Sequence, residues 1–456
     1  MTADGEQLKV GIVGGGIVGA YTALALSHLP NVSITAYEKS PHPSELGAWI
    51  ALPNQSIDML SKFIPIEKIN SIAYKGTSDK EYVSRHWKTG EILYTQPTYN
   101  RSKPFVEART HRVALLNLLL EYVPPGIIQY DHKVSEVEFV KNDSKIIIHF
   151  ENQPSSSEFD LVVAADGIYS KIRHQFNPNT LKYRGSVAYR SVFDESYISH
   201  IEGISDDTSN WVSPGGKWVF LSLVGLGQYG IVASIAEPYE TFKKLKWNKS
   251  IGDEGKKYLI EAFKDWDAVV PQVIEAVPDI LAFPLESGNW LHNLVVKERL
   301  VFAGDAAHPT AGAYGSGAGF GFSDAWALYR SLQETSSNYW YESTPQASKY
   351  NLKLTTFLFN ETRRHFLKRV EQQLTIDGLQ SKERIQPPTD TDDSEWRSRY
   401  LIKRHGGEWI RSHNAEFEFQ KIRDQYLVYL QKNLSSFIEA GHGYEQLDEL
   451  KSAENI

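Results

Sequence analysis

Apolar and polar positions near the N-terminus follow an order that predicts a strand, a helix and a second strand within about thirty residues. Val10–Val13 is a short apolar run of the kind that forms a buried strand. A glycine cluster follows it, and Ala20–Leu29 then has apolar residues at helical spacing. Ser33–Tyr37 is a second strand-like segment, and Glu38 ends it. This order predicts a right-handed unit of two parallel strands joined by a helix.

Further along the chain, strand patterns fall into two groups. The first group follows the N-terminal unit and consists of Lys133–Val140, Lys145–Phe150, Leu161–Ala165 and Leu300–Ala303. The second group predicts a separate sheet from Ser186–Phe193, Lys217–Val224 and Tyr229–Ile235. Residues 76–103 have turn signals at Lys88–Gly90 and predict a hairpin. Helices are predicted at His111–Tyr122, Gly255–Asp265 and Phe320–Leu332, and the chain beyond Thr335 is helical and charged.

Composition and charge exclude several classes of function. The chain is 41% apolar and 23% charged, as expected of a globular protein with a sizeable core. Its net charge of −8 comes without a basic block, which argues against nucleic acid or a membrane surface as a partner. It has no cysteine, and its histidines lack metal-ligand spacing, so no metal is predicted. Signal-peptide features and long apolar runs are missing from the sequence, so we expect a cytoplasmic protein.

The glycine cluster after the first strand has the spacing of a dinucleotide-binding turn. Gly14 permits the tight turn, Gly16 lets the backbone approach a pyrophosphate, and Gly19 lets the helix pack closely on the strand. The N-terminus of the helix adds free N–H groups and a positive dipole end. Glu38, with Lys39 beside it, stands where the ribose hydroxyls of an adenine dinucleotide bind. These residues alone do not separate FAD from NAD.

Two later segments make that distinction. The first is an apolar strand that ends in Asp166-Gly167, and the second is an apolar strand that ends in Gly304-Asp305. A glycine after a strand clears space for a cofactor, and a carboxylate there accepts hydrogen bonds from hydroxyl groups. With three motifs in this order, the chain resembles the FAD-dependent aromatic hydroxylases, the group A flavoprotein monooxygenases. Within them it is most similar to the fungal salicylate-hydroxylase-like branch.

The resemblance implies a set of residues that contact FAD. Asp305 corresponds to the carboxylate that binds the ribityl chain, and Asp166 to one that serves FAD and the approach of the nicotinamide. The loop from Gly315 to Gly321 corresponds to one whose N–H groups face the pyrimidine end of the flavin, where a helix dipole stabilises negative charge. The remaining residues that the resemblance assigns to the cofactor are Ala51, Arg109, Gly317 and Ala318.

The reaction that the resemblance implies is hydroxylation of a small aromatic or phenolic substrate. NADH or NADPH reduces FAD, O2 then forms a flavin C4a-hydroperoxide, and its distal oxygen passes to an electron-rich ring. Such a ring must be phenolate-like, and the site must exclude water. Arg190, on the first strand of the second sheet, corresponds to an arginine that holds a phenolate in some fungal members. We therefore expect Arg190 to be the catalytic residue of a monomeric or homodimeric enzyme.

Three positions depart from the pattern of these hydroxylases. Trp49 stands where glycine is common, Ser316 stands where glutamine is frequent, and Leu221 replaces a tyrosine that works with the arginine in dearomatising members. Two alternatives therefore stay open. One is a tailoring monooxygenase that acts on a larger secondary metabolite, such as a phenolic polyketide or an indole alkaloid. The other is a flavoprotein oxidase or dehydrogenase that does not oxygenate.

Together, the elements and the resemblance predict an α/β fold. A Rossmann-like FAD-binding domain is interleaved with a β-sheet substrate domain, and a helical C-terminal region follows. The FAD-binding domain takes residues 1–75, 104–180 and 286–340, the substrate domain takes 76–103 and 181–285, and the helical region takes 341–456. Because the N-terminal turn and Asp305 must serve one cofactor, the fold must bring them together in space.

Overall fold

The structure of the chain, a computed structural model, describes residues 7–43, 48–75, 82–96, 107–151, 153, 158–178, 181–204, 208–245, 249–315, 317–336, 350–384, 393–402 and 408–439. Ser316 and the outer parts of the 76–103 segment lie outside these residues. Within the described ranges, no helix is long and apolar enough to cross a bilayer.

The described part of the chain contains both strands and helices, and only helices follow β20. The strands are β1 (Leu8–Val13), β2 (Val32–Tyr37), β3 (Trp49–Pro53), β4 (Ala73–Tyr74), β5 (Tyr82–His86), β6 (Ile92–Gln96), β7 (Glu107–His111), β8 (Ile128–Gln129), β9 (Val134–Val140), β10 (Lys145–Phe150), β11 (Glu158–Phe159), β12 (Leu161–Ala164), β13 (Lys182–Asp194), β14 (Thr208–Val212), β15 (Trp218–Gly225), β16 (Gln228–Ala236), β17 (Lys249–Ser250), β18 (Leu281–Ser287), β19 (Val295–Val296) and β20 (Leu300–Phe302). The helices are α1 (Ile17–Leu26), α2 (Asn54–Leu60), α3 (Ile66–Ile72), α4 (Arg112–Tyr122), α5 (Lys171–Phe176), α6 (Tyr239–Lys244), α7 (Gly252–Ala262), α8 (Val269–Ala276), α9 (Gly317–Thr335), α10 (Leu352–Arg384), α11 (Ser394–Ile402), α12 (Glu408–Ser412) and α13 (Ala415–Glu439).

A six-stranded sheet carries the N-terminal unit, in the order β19-β20-β12-β1-β2-β8. β1 pairs in parallel with β2 on one side and with β12 on the other, and β12 pairs in parallel with β20. Every residue of β12 and β20 is buried, which explains why these strands are continuous apolar runs. Because parallel strands end at the same edge of a sheet, the turns after β1, β2, β12 and β20 lie side by side.

The second sheet has eight strands in the order β17-β18-β13-β16-β15-β14-β5-β6. The predicted hairpin is β5–β6, and it joins this sheet through the parallel pairing of β5 with β14. One face of the sheet packs under α7 and α8, and the other carries a smaller apolar cluster around Ala188, Val232 and Phe283. The sequence pattern missed β14, which is short and polar, and β18, which Pro284 interrupts.

Helix α1 packs against α9 through contacts that only glycine allows. A Cβ atom at Gly321 would lie 2.3 Å from a methyl group of Val18, and one at Gly304 would lie 3.1 Å from the same group. Gly304 also has a φ of 61°, a conformation that favours glycine. Val18 belongs to the first turn of α1. The N-terminal turn and the Gly304-Asp305 segment therefore meet in space, as expected from the sequence.

The C-terminal helices contact α9 and also the β5–β6 hairpin of the eight-stranded sheet. α10 lies against α9, and α13 contacts both of these helices. α11 lies near the hairpin, where the hydroxyl of Tyr400 is 3.1 Å from Ser84 Oγ. Just before α11, Asp393 is 2.8 Å from Nε2 of the buried His86. The predicted helical C-terminal region is thus confirmed, whereas the division of the chain into three domains stays a prediction.

We expect Gly321→Ala to destabilise the protein by about 1–3 kcal/mol, since the added methyl group overpacks the contact with Val18. Alanine favours a helix over glycine by about 1 kcal/mol, so a loss would show that packing dominates. Urea unfolding measures the effect. The double variant Gly321→Ala with Val18→Ala should recover part of the stability, and purely additive losses would contradict the contact.

Candidate active site

The turn between β1 and α1 has no room for side chains at two of its glycines. Gly14 has a φ of 105°, and a Cβ there would lie 2.4 Å from the carbonyl oxygen of Ala165. A Cβ at Gly19 would lie 1.9 Å from the carbonyl oxygen of Gly14. Gly16 is the N-cap of α1, and no side chain of the described residues caps this helix end. The first N–H groups of α1 are therefore available to an anion such as a pyrophosphate.

Glu38 lies beside this turn. Its carboxylate accepts hydrogen bonds from the backbone N–H groups of Gly15, at 2.8 Å, and Ser40, at 2.9 Å. These bonds hold the acidic group at the end of β2 and beside the glycine turn, a position suited to ribose hydroxyls. Lys39 is exposed next to it.

Asp166 follows β12 and borders the same turn. A Cβ at Gly14 would lie 3.1 Å from Cα of Asp166. Oδ2 of Asp166 accepts a hydrogen bond from the N–H of Lys171 at 3.0 Å, whereas Oδ1 is buried without a partner among the described residues. Burial raises the pKa of this carboxyl, against hydrogen bonds from Ser170 and backbone N–H groups. The unpartnered oxygen is suited to accept a hydrogen bond from a hydroxyl group of a cofactor.

Asp305 follows β20 at the C-terminal edge of the six-stranded sheet, and the region between this residue and Arg190 of the second sheet is called the cleft. The side chain of Asp305 is open to solvent, yet protein surrounds it closely enough that burial raises the pKa of its carboxyl, with His308 and Arg112 acting in the opposite direction. A Cβ at Gly317 would lie 3.7 Å from Oδ1 of Asp305. Ala318 follows, half-buried, in the first turn of α9. The structure thus brings Asp305, Gly317 and Ala318 together.

Arg112 is a residue of this cleft that the sequence analysis did not assign. Burial lowers the pKa of Arg190 to about 10, and the positive charge of Arg112 adds to this effect. The same charge opposes the rise in the pKa of Asp305 that burial causes. A cation that acts on both groups lies near the cofactor segment and the second sheet at once. A signal was present in the sequence, because Arg112 begins α4, where the helix dipole disfavours a positive charge.

Arg109 instead joins a third sheet, of three strands in the order β3-β7-β4, to the eight-stranded sheet. It is buried, and its Nη1 donates a hydrogen bond to Oγ of Ser222 on β15 at 3.0 Å. Ala51 lies opposite Arg109 in the pairing of β3 with β7. A Cβ at Gly315 would lie 3.5 Å from Cβ of Ala51, so Ala51 borders the loop before α9. The contact of Arg109 with a cofactor stays a prediction.

A buried network holds the segment around Asp305 in place. The carboxylate of Asp324 on α9 accepts a hydrogen bond from the N–H of Gly304 at 2.8 Å, lies 2.6 Å from Nε2 of His308 and accepts one from Nε of Arg363 at 2.8 Å. The side chains of Asp324, His308 and Arg363 are fully buried. Burial raises the pKa of Asp324, but His308, Arg363 and the N–H of Gly304 outweigh it and hold the pKa below its ordinary value.

Arg190 lies on the face of the second sheet that looks toward the cleft. It pairs with Val232 of the adjacent strand β16, and Val232 in turn pairs with Phe220 of β15. Its guanidinium lies 5.2 Å from the centre of the Phe283 ring. A Cβ at Gly312, which follows Asp305 in the chain, would lie 3.3 Å from Nη2 of Arg190. The predicted catalytic arginine and the predicted cofactor segment therefore border one another.

Leu221 does not share a face with Arg190. It packs on the opposite side of the sheet, in the core beneath α7 and α8. The residue level with Arg190 on the cleft side is Phe220. Side chains alternate between the two faces of a strand, so the neighbours Phe220 and Leu221 turn to opposite faces. The correspondence of Leu221 to the family tyrosine stays a prediction.

Trp49 begins β3 of the three-stranded sheet, and its ring lies against the eight-stranded sheet. Its ring stacks on that of Phe220, with the ring centres 5.2 Å apart and the planes 21° from parallel. A Cβ at Gly230 would lie 2.2 Å from Cδ1 of Trp49. The indole therefore occupies the space above a glycine of β16, on the same side of the sheet as Phe220.

Comparison with known proteins identifies the relatives of this chain. No family model matches it. The chain is 27% identical to a 6-hydroxynicotinate 3-monooxygenase of Pseudomonas fluorescens over 73% of the chain and 84% of that protein. It is 25% identical to a salicylate hydroxylase of Pseudomonas putida over 73% of the chain and 78% of that protein. It is 28% identical to the FAD-dependent monooxygenase eupB of Phoma sp over the same shares.

The homologues of this chain are FAD-dependent monooxygenases. The resemblance drawn from the three motifs is thereby confirmed. A crystal structure of CtdE in complex with FAD and a substrate matches with a TM-score of 0.72 at 19% identity, and it covers 92% of this chain and 100% of that chain. At this identity the match shows the fold, and it confirms the predicted α/β architecture of the flavin monooxygenases.

We expect Arg363→Met to destabilise the protein by about 3–5 kcal/mol, because it leaves the buried Asp324 carboxylate without its guanidinium partner. Urea unfolding followed by circular dichroism measures the loss. Arg364→Met is the matched control, since the neighbouring arginine makes a surface pair with Glu361 and should change the stability by less than about 1 kcal/mol. Equal effects of the two changes would contradict the network.

We also expect His413 to make the protein less stable as the pH falls. Burial lowers the pKa of His413 to about 3 from 6.5, and Arg363 adds to the effect. Its contribution is complete above pH 6.5 and is lost as the pH falls toward the folded-state pKa, because only the unfolded chain takes up the proton. Between pH 6.5 and 5 this costs about 2 kcal/mol.

His413→Phe tests this expectation, because it keeps a ring against Phe366, whose centre lies 3.6 Å from that of His413. Urea midpoints at several pH values should fall less steeply for the variant. The exposed His292→Phe serves as the control and should leave the slope unchanged. A variant as pH-dependent as the original chain would refute the role of His413.

Proposed function

We propose that this chain is an NAD(P)H-dependent FAD monooxygenase that hydroxylates a small aromatic or phenolic compound. One observation carries the proposal. The glycine turn with Glu38 and the segment with Asp305 converge on one cleft, and that cleft borders Arg190 on the second sheet. The homology to FAD-dependent monooxygenases supports it.

The residues present fit FAD. The turn leaves no room for a Cβ atom at Gly14 or Gly19. The uncapped start of α1 suits the pyrophosphate. Glu38 is held where a ribose lies, and Asp305 and Asp166 offer carboxylate oxygens to hydroxyl groups. We assign Gly16, Lys39, Ala51, Gly317 and Ala318 to the same cofactor. We add Arg112, whose charge acts on Asp305.

Bound FAD would supply the redox chemistry: NAD(P)H gives up two electrons, one oxygen atom of O2 enters the aromatic ring, and the other leaves as water. The protein groups would orient the ring and exclude water. Arg190 holds an anionic oxygen, and its cationic charge lowers the free energy of the phenolate form. The aromatic side chains Phe220 and Phe283 keep the space around Arg190 apolar, which strengthens this interaction.

Two other functions make different predictions. A tailoring monooxygenase for larger metabolites needs more room, and Trp49 takes space on the cleft side of the sheet. An oxidase or dehydrogenase of the same fold would form no hydroxylated product. Mass spectrometry of the product and the yield of H2O2 separate a coupled monooxygenase from an oxidase.

We expect the purified protein to contain FAD and to oxidise NADH or NADPH faster when a hydroxybenzoate is present. Asp305→Ala should weaken FAD binding about tenfold to a hundredfold, because hydrogen bonds to a charged group contribute about 1.5–3 kcal/mol. Titration of apoprotein with FAD, followed by quenching of flavin fluorescence, measures the change.

Asp143→Ala is the control for this experiment, since Asp143 makes a surface pair with Lys297 at 3.0 Å. It should bind FAD like the original chain. Protein that carries no FAD after purification and takes up none would overturn the proposed function.

A further inference from the structure

Two buried hydrogen-bond donors lack partners near the cleft side of the second sheet. Nε of Arg190 is buried, and no described residue accepts from it. Nε1 of Trp49 is likewise buried with no acceptor among the described residues. Buried polar groups are nearly always hydrogen-bonded, because leaving one unpaired is unfavourable. Two such donors close together point to a ligand that carries acceptors.

The strand register places the two donors over neighbouring parts of one sheet face. Nε1 of Trp49 would lie 2.6 Å from a Cβ at Gly230 on β16. Arg190, on the adjacent strand β13, is level with Val232, which is two residues further along β16. Two residues of a strand span roughly 7 Å, and adjacent strands lie about 4.8 Å apart, so the two side chains start from nearby positions.

Each donor has an aromatic neighbour. Phe220 stacks on Trp49, and Phe283 lies under the guanidinium of Arg190. Flat rings pack well against aromatic side chains. The positive charge of Arg112 acts on Arg190. Two cations that repel each other favour an anionic ligand beside them.

We propose that Trp49 determines substrate specificity by donating a hydrogen bond from Nε1 to a second acceptor of a planar aromatic anion whose charged group binds Arg190. The inference rests on the proposed function and deepens it, because it names the substrate class as an aromatic ring with an anionic group and a separate acceptor oxygen. An aromatic anion that lacks the second acceptor leaves the indole N–H unpaired and binds more weakly.

The test compares benzoate with the three hydroxybenzoate isomers. Their dissociation constants are measured by isothermal titration calorimetry on FAD-loaded protein. We expect at least one isomer to bind the original chain about tenfold more tightly than benzoate, as one good hydrogen bond implies. In Trp49→Phe, which keeps an aromatic ring against Phe220, this advantage should disappear while benzoate binds as before. Arg190→Gln should weaken all four ligands together.

Trp87→Phe is the matched control. Trp87 also has a buried Nε1 without a partner among the described residues, but it packs on the far side of the sheet, against Trp266. It should leave the isomer preference unchanged. Gly230→Ala is a second test, because its methyl group displaces the indole and should also abolish the preference.

Three results would overturn the inference. One is an isomer preference that survives in Trp49→Phe, another is the lack of any preference in the original chain, and the third is a loss of FAD affinity in Trp49→Phe with the preference intact. The last result would mean that the indole serves the flavin. FAD content and NAD(P)H oxidation, measured in parallel, report separately on the proposed function.

Discussion

The carboxylate of Asp324 is the group on which the arrangement of the candidate site depends. It is fully buried, and it binds the backbone of Gly304, the ring of His308 and the guanidinium of Arg363. A buried charge is tolerated only when its partners satisfy it, and the loss of one partner is costly. Because Gly304 directly precedes Asp305, these bonds also fix the acidic residue that faces the cleft. The C-terminal helix α10 therefore contributes to a site that is otherwise built from the first three quarters of the chain.

The proposed site lies where the six-stranded and eight-stranded sheets border one another. The six-stranded sheet supplies the edge where the turns after parallel strands meet, and the eight-stranded sheet supplies a wall of apolar side chains. Arg109 and Ser222 connect β7, in the three-stranded sheet β3-β7-β4, to β15, while Gly312 and Arg190 bring the cofactor segment against β13. Arg109 and Ser222 are buried, and hydrogen bonds and charges act more strongly in a region that water does not enter. A ring held there is protected from competing reactions with solvent.

The face to which a side chain turns is set by strand register and by where a strand ends. Leu221 and Phe220 are neighbours in β15, but only Phe220 is level with Arg190 on its face of the sheet. Arg109 and Arg112 stand three residues apart, and the strand ends between them. Arg109 lies in the strand and binds Ser222, whereas Arg112 starts the helix, and its charge acts on Asp305. A single sequence shows that arginines are present, but the face to which each one turns depends on where β7 ends.

The sequence by itself determined the α/β fold, the glycine turn, the acidic residue after the second strand and the relation to flavin monooxygenases. These features are local, because a tight turn demands glycine and a buried parallel strand demands a continuous apolar run whatever surrounds it. Tertiary structure alone decided which distant residues meet. Val18 with Gly321, Asp324 with Arg363, and Trp49 with Gly230 are pairs far apart in the chain, and their contacts follow from packing density, which a one-dimensional pattern does not contain.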